Sequence, residues 1–302
     1  MNDLREIVRR VGGEIYAGGR AAVVPGPGHS KNDRSLSLRI TETGRMIFHS
    51  HAADGVADCM KYLGLETSEA KPADKAEWAR MKRAREEEQR QRAAEDEAFC
   101  ASIWRDTVAF EGSLAEAYLW SRGLILEGCS DIRFHPAAPR AKPRPAGDDR
   151  PLPTPHPAMV AIVRDRDGRP LGLHLTYVAI DGTGKAFGKR SRLMFGAIRG
   201  GAVQLSPAGS SLAIGEGIET CLAYQTRTGI PAWAALATSQ YATFLPPKRV
   251  RRLVIAADGD QGGLTAAKGL AERMARICDV VIDAAPEGQD WADVHAEGGS
   301  NV

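Results

Sequence analysis

From Ser206 to Val302 short apolar runs alternate with helical stretches: "SLAIGEG", "IETCLAYQTRTG", "PAWAALA", "RRLVIAADGD", "GGLTAAKGLAERMARI" and "DVVIDAA". A short run that is apolar at every position suits a strand buried on both faces, and the helices between such runs supply the cover. The pattern predicts a small doubly wound α/β domain with a parallel sheet. In its second helix Leu264, Ala267, Leu270, Ala271, Met274 and Ile277 fall on one side, while Lys268, Glu272, Arg273 and Arg276 fall on the other.

In an open parallel sheet, functional groups collect in the crevice beyond the carboxyl ends of the strands. Leu212 to Ile214 runs into Gly215-Glu216-Gly217, and Leu253 to Ala256 runs into Asp258-Gly259-Asp260. If these strands are neighbours, three carboxylates share one edge. Two carboxylates about 4 Å apart repel by roughly 4 kcal/mol at an effective dielectric near 20, and a cation removes that repulsion. Hard oxygen ligands in an open, partly hydrated arrangement suit Mg²⁺ or Mn²⁺, whose coordination is completed by waters and substrate phosphates. A plainer alternative stands beside this one, since Asp-Gly-Asp is common in loops and Glu216 alone would also suit the start of a helix. Two other motifs fail on spacing. Counted from Asp258, the sixth and twelfth positions are Gly263 and Gly269, where a calcium-binding EF-hand loop needs glycine and glutamate. In "GTGKAFGKRS" Arg190 stands where a P-loop requires Ser or Thr.

The rest of the chain reads as three further regions. Residues 1–66 are glycine-rich, with extended pieces "RSLSLRI" and "RMIFHSH" closed by a helix around "VADCMKYLGL". Residues 67–110 are dominated by helix formers with opposite charges three or four apart, the composition of a solvated linker helix. Residues 111–205 contain "AEAYLWSRGL", a basic proline-rich loop "PAAPRAKPRPAGDDRPLPTPHP" expected on the surface, and a hairpin turning at Asp167-Gly168. After the hairpin, Lys185, Lys189, Arg190 and Arg192 lie within eight residues, broken by glycines.

A composition of 43% hydrophobic and 26% charged residues permits real cores. No window approaches the roughly 18 apolar residues of a membrane span, and "MNDLREIVRR" lacks the apolar run of a secretory signal, so a cytoplasmic protein without membrane contact is expected. Five scattered cysteines without a C-x-x-C pair specify neither a disulfide framework nor a zinc ribbon. A net charge of +2 permits a nucleic-acid partner without arguing for one, which leaves the local basic run to carry that argument.

The pair "LAIGEGIET" and, about 40 residues on, "LVIAADGDQGG" resembles the TOPRIM domain shared by bacterial-type DNA primases, topoisomerases and some nucleases. The resemblance implies that Glu216, Asp258 and Asp260 organise catalytic Mg²⁺. It makes Asp290, in "GQDWADVH", a further candidate ligand and Asp293 a weaker one. Many TOPRIM domains carry an aspartate four residues after the glutamate; here Thr220 occupies that place and Glu219 precedes it. Upstream, "AYLWSRGLILEGCSDIRFHP" and "MVAIVRDRDGRPLGLHLTYV" look like the amino-terminal half of the bacterial-type primase core. The implied architecture is a TOPRIM domain at 206–302, preceded by an α+β primase-core subdomain at 111–205, the linker helix at 67–110 and a small β-rich module at 1–66. The implied activity is short-primer synthesis on single-stranded DNA from nucleoside triphosphates, in a compact primase-like protein of a mobile element or phage-derived cluster. Lys185, Lys189, Arg190 and Arg192 would contact template or triphosphate, and a separately encoded replicative helicase is an implied partner. Residues 1–66 follow the order of that family's zinc-binding module, but Val24 and Ser50 stand where cysteines belong. His29, His49, His51 and Cys59 do not supply the paired short spacings of structural zinc, so a degenerate module without zinc is expected. Two rival readings are a TOPRIM nuclease using the same metal site and a non-catalytic DNA-binding accessory protein.

Overall fold

The computed structural model describes residues 4–41, 45–65, 70–72, 75–144, 147–148 and 150–299, and the chain divides into two compact units, Met1–Gln91 and Arg92–Val302. In the first unit α1 (Leu4–Val11) precedes β1 (Glu14–Tyr16), β2 (Ala21–Val24), β3 (Leu36–Ile40) and β4 (Met46–Ser50), followed by α2 (Val56–Leu63) and β5 (Ala70–Pro72). These strands pair in sequence order, antiparallel except for β5 beside β4. Successive strand residues point to opposite faces. Ala22, Val24, Leu36, Leu38, Met46 and Phe48 thus share the face that packs with Leu4 and Ile7 of α1 and Cys59 and Leu63 of α2.

Helix α3 (Lys75–Arg105) contains the boundary between the units. Towards its end it buries apolar side chains: Cys100 and Ile103 pack on a four-stranded antiparallel sheet of the second unit. That sheet consists of β6 (Ile132–Ala138), β7 (His156–Arg164), β8 (Pro170–Tyr177) and β9 (Arg192–Gly196), with α4 (Leu114–Ser121) preceding it in the chain. The β7–β8 hairpin turns where the Asp-Gly dipeptide predicts: Asp165 Oδ1 accepts the amides of Asp167 and Arg169 at 2.9 and 2.8 Å, and Gly168 takes φ +87°. The proline-rich segment is extended further than expected at its start. Pro136 and Ala137 continue β6 past a register shift, and Ala138 is fully buried. Because β6 is an edge strand, the missing amide hydrogen of Pro136 breaks no ladder.

The last part of the chain forms β10 (Val203–Gln204), β11 (Ser211–Gly215), α5 (Ile218–Thr228), β12 (Ala232–Ala234), β13 (Arg252–Ala257), α6 (Gln261–Met274), β14 (Asp279–Ala284) and α7 (Trp291–Gly299). Its strand order is β10-β12-β11-β13-β14, parallel except for β10. Along β11 and β13 the apolar residues alternate between two cores. Leu212, Ile214, Leu253, Ile255 and Ala257 face Ala267, Leu270 and Met274 of α6. Ala213, Val254 and Ala256 face α5 and α7, and the same core continues through Tyr118 and Leu119 of α4 to Ile132, Phe134, Met159 and Ala161 of the antiparallel sheet. One apolar core therefore joins the two halves of this unit. Ile277 departs from the helical pattern: α6 stops at Met274 and the side chain is 57% exposed.

From β11 the chain passes through α5 to β12 on one side, then returns to β13 on the other. The reversal falls between β11 and β13, and such a switch point opens a crevice at the carboxyl ends of the two strands. Among the described residues no helix is long and apolar enough to cross a membrane.

Helix α5 sits close on β11 because Gly215 has no side chain. A Cβ there would lie 2.8 Å from Cys221 Sγ and 3.3 Å from the Ala256 carbonyl oxygen. Gly215→Ala should cost about 1–3 kcal/mol in urea unfolding; unchanged stability would contradict this packing.

Candidate active site

Gly215 pairs with Ala256 in the parallel register of β11 and β13, so Glu216 and Asp258 leave adjacent strand ends at the switch point. Neighbouring strands lie about 4.8 Å apart. Every one of these acids except Asp258 stands at or just before a helix start. Glu216 stands one residue before the N-cap Gly217 of α5. Asp260 is the N-cap of α6, its Oδ1 accepting the Gly263 amide at 2.6 Å. Asp290 precedes α7 and exchanges hydrogen bonds with Asp293: its Oδ1 accepts the Asp293 amide at 2.9 Å, and its own amide donates to Asp293 Oδ2 at 3.1 Å. This reciprocal pattern is a capping box, and it gives Asp293 a structural task at the helix start.

Gly259 brings the Asp290 segment to the rim. A Cβ on Gly259 would meet the Pro286 carbonyl oxygen at 1.9 Å, so only glycine permits the approach. The Gly259 amide donates to the Gln289 carbonyl at 2.9 Å, and the Gly288 amide donates to the Gly259 carbonyl at 3.1 Å.

Asp258 caps nothing. Its Oδ1 is buried and has no hydrogen-bond partner. Burial first, then the negative charges of Glu216, Asp290 and Asp260, push its carboxyl up to about 7, while Arg192 pulls the other way. Glu216 is raised as well, chiefly by burial, with Arg192 opposing and Asp260 reinforcing. Four acids from three separate segments thus act on one another at one rim. Among the described residues no three or more His, Cys, Asp and Glu side chains are arranged to hold a metal ion outright. Hard carboxylate oxygens at an open rim, with Asp258 Oδ1 unpartnered, suit a hydrated cation taken through one or two carboxylates, the manner of Mg²⁺. Asp258 and Glu216, which leave adjacent strand ends, would hold such an ion, with Asp260 and Asp290 adding charge at the rim.

The basic run divides into parts with different surroundings. Lys185 Nζ lies 2.8 Å from Glu219 Oε1, and the Tyr118 hydroxyl donates to the same oxygen at 2.6 Å. Burial alone would raise the Glu219 carboxyl, but Lys185 and Tyr118 outweigh it and hold the group down to about 2. This buried pair anchors the segment after β8 to the first turn of α5, three residues from Glu216. His174 of β8 lies nearby in electrostatic reach of Glu219, Arg192 and Lys185; complete burial lowers it to about 4, and neither ring nitrogen has a partner. Lys189 and Arg190 are exposed on a tight turn, and Arg192 opens β9, where its charge reaches Glu216 and Asp258. Arg164 of the hairpin forks onto Asp131 at 2.6 and 2.7 Å and serves the fold.

The Glu219 anchor is the part of the site that residue patterns did not reveal. Its partners Tyr118 and Lys185 lie far off in the chain, and the only local signal was a carboxylate one position away from its expected place. In the first unit His29 is held between Asp33 and Asp54 at 2.9 and 3.2 Å, and its ring is raised first by the hydrogen bond to Asp33. His51 Nε2 meets Ser37 Oγ at 2.9 Å, the His49 and His51 rings stand 4.8 Å apart, and Cys59 is buried in the core.

An acid-rimmed crevice thus lies at the switch point of a doubly wound parallel sheet. Residues 211–301 match the family model of the Toprim domain, and this part of the chain is a Toprim domain. Residues 94–205 match a domain of unknown function, DUF7146. No curated protein sequence matches the chain. Among solved structures, a DNA primase domain from Pseudomonas aeruginosa is 16% identical, aligning over 65% of this chain and 73% of that one at a TM-score of 0.45. The zinc-binding and RNA polymerase domains of the Aquifex aeolicus primase are 15% identical over 99% of this chain and 80% of that one, at 0.44. The primase fragment of the bacteriophage T7 primase-helicase protein is 15% identical over 64% and 76%, at 0.39.

Protonation of Asp258 carries a sign that can be tested. The folded state holds this proton up to about pH 7, whereas an unfolded aspartate loses it near 3.8. Between these values the folded state binds more protons, so stability falls as pH rises through the interval. Asp258→Asn removes that loss. In thermal scans without divalent ions the variant should gain on the natural protein as pH rises from about 4 to about 7, and exceed it at pH 8. A difference independent of pH would contradict the crowding of charge.

Proposed function

We propose that the chain is a primase-like nucleotidyltransferase that joins nucleoside triphosphates into short primers on single-stranded DNA, with Mg²⁺ or Mn²⁺ at the carboxylate rim. The observation that carries the reading is Asp258 Oδ1, buried without a partner among Glu216, Asp260 and Asp290 at the switch point of a Toprim sheet. A carboxylate so placed is costly unless a cation compensates it. A bound divalent ion would supply positive charge to an attacking hydroxyl and to the phosphate that changes hands.

This chain's residues do the rest. Glu216 and Asp258, at the ends of β11 and β13, would hold the ion, and helix starts fix Asp260 and Asp290 beside them. Arg192 places a positive charge against the rim, where an incoming triphosphate adds negative charge. Lys189 and Arg190, exposed beside it, suit the template or triphosphate backbone. Lys185 contributes through its pair with Glu219, which anchors the basic segment next to the site. The resemblance of "AYLWSRGL" and "VRDRDGRPLG" to a primase core favours primer synthesis over strand cleavage. A replicative helicase is the corresponding partner.

Incubation with labelled nucleoside triphosphates, a single-stranded template and Mg²⁺ should yield dinucleotides and short extension products. Asp258→Ala and Asp260→Ala should abolish them while both variants remain folded. Full activity in either variant would refute the assignment. Shortened template strands in place of extension products would identify a nuclease, and metal-independent DNA binding without turnover under any divalent ion would identify an accessory protein.

A further inference from the structure

Phe187 stands two residues after the anchored Lys185 and just before the exposed Lys189 and Arg190. Its backbone takes φ +63° and ψ 15°, the left-handed region that bulky side chains avoid. Gly188 follows at φ +53°. The turn is fixed from both ends: the Ala186 amide donates to the Tyr177 carbonyl at 2.9 Å, and the Tyr177 amide donates to the Ser191 carbonyl at 2.8 Å. Within it the Arg190 amide donates to the Phe187 carbonyl at 3.0 Å. A glycine would adopt this backbone freely, yet the position holds an aromatic ring.

That ring belongs to none of the apolar cores and is 41% exposed. The Arg140 guanidinium carbon lies 3.6 Å from its centroid, and the rings of His156 and Tyr177 meet it edgewise at 4.6 and 5.9 Å. Among the described residues no ion-pair partner is found for Lys189 or Arg190. An aromatic face and a stacked guanidinium, flanked by unpaired cations, match the two halves of a nucleotide. Unpaired bases stack on aromatic rings and on Arg planes, while their phosphates pair with Lys and Arg. A duplex keeps its base faces inside, so a single strand is the form that can use such a platform.

We infer that Phe187, backed by Arg140, is a stacking platform for an unpaired base of single-stranded DNA, with Lys189 and Arg190 meeting the adjoining phosphates. The inference rests on the reading of the chain as acting on a single-stranded template, and it places a contact for that strand beside the basic segment. Residual backbone strain at Phe187 fits a residue retained for what it touches.

The test is binding of two fluorescently labelled oligomers to the full chain, oligo(dT) and an abasic oligomer of the same length with phosphates but no bases. Phe187→Leu keeps apolar bulk, and Phe187→Gly suits the left-handed backbone, so the turn survives in at least one variant; circular dichroism and thermal melting verify the fold. Both variants should bind oligo(dT) about tenfold more weakly than the natural protein and the abasic oligomer equally well. Unchanged oligo(dT) affinity, an equal loss for both oligomers, or no oligo(dT) binding by the natural protein would each overturn the platform. The assay needs no turnover. A protein that makes no primers but shows the base-dependent loss refutes the proposed activity and leaves the platform standing.

Discussion

A carboxyl group with one oxygen buried and without a hydrogen-bond partner, surrounded by other acids, is the constraint on which the site of the second unit depends. Asp258 is that group. The neighbouring acids are reconciled with their positions by helix starts: Asp260 accepts the Gly263 amide, and Asp290 and Asp293 satisfy one another. These contacts fix the rim without neutralising it, because a backbone amide supplies only a partial charge. Asp258 receives not even that. The close approach of Gly259 to Pro286 then draws Asp290 inward and deepens the repulsion. A fold selected only for stability would place an amide or an apolar side chain at position 258.

The positive side of the site is arranged with equal economy of position. Glu216 and Glu219 stand at opposite sides of the α5 start: one faces the rim, the other is buried against Tyr118 and Lys185. One helix start therefore sets both the acidic rim and the root of the basic segment. The single apolar core running from α4 and the antiparallel sheet to α5 and α7 keeps these two parts in fixed relation. Lys185, at the anchored end, has its charge matched locally by Glu219, Arg192 faces Glu216 and Asp258, and Lys189 and Arg190 lie between them with no ion-pair partner among the described residues.

Much of this was legible in the residues, for identifiable reasons. The strands β11 and β13 are short apolar runs ending in acids, and apolar continuity is a strong signal for a strand covered on both faces. Their adjacency was not legible, because strand order is decided by how α5 and α6 pack, and that was needed to bring Glu216 to Asp258. The Toprim identity followed from the two motifs together. A helix-start task was legible only for Glu216, as an alternative; that of Asp260 and Asp290 was not, since caps and metal ligands draw on the same residue types. The Glu219 anchor joins residues roughly a hundred positions apart, beyond any periodicity or motif. Ile277 and Pro136 mark smaller departures: a helix that stopped a turn early, and a proline made harmless by its edge strand.

The central claim is that the surroundings of Asp258 disfavour its ionised form, so that without a compensating cation it keeps its proton up to about pH 7. Carboxyl-carbon NMR of isotope-labelled aspartate, with Asp258 assigned by comparison with Asp258→Asn, measures this directly. Without divalent ions its titration midpoint should lie near the displaced value of about 7, and saturating Mg²⁺ should bring it down towards or below the ordinary aspartate range. A midpoint near 4, unmoved by Mg²⁺, would contradict the account.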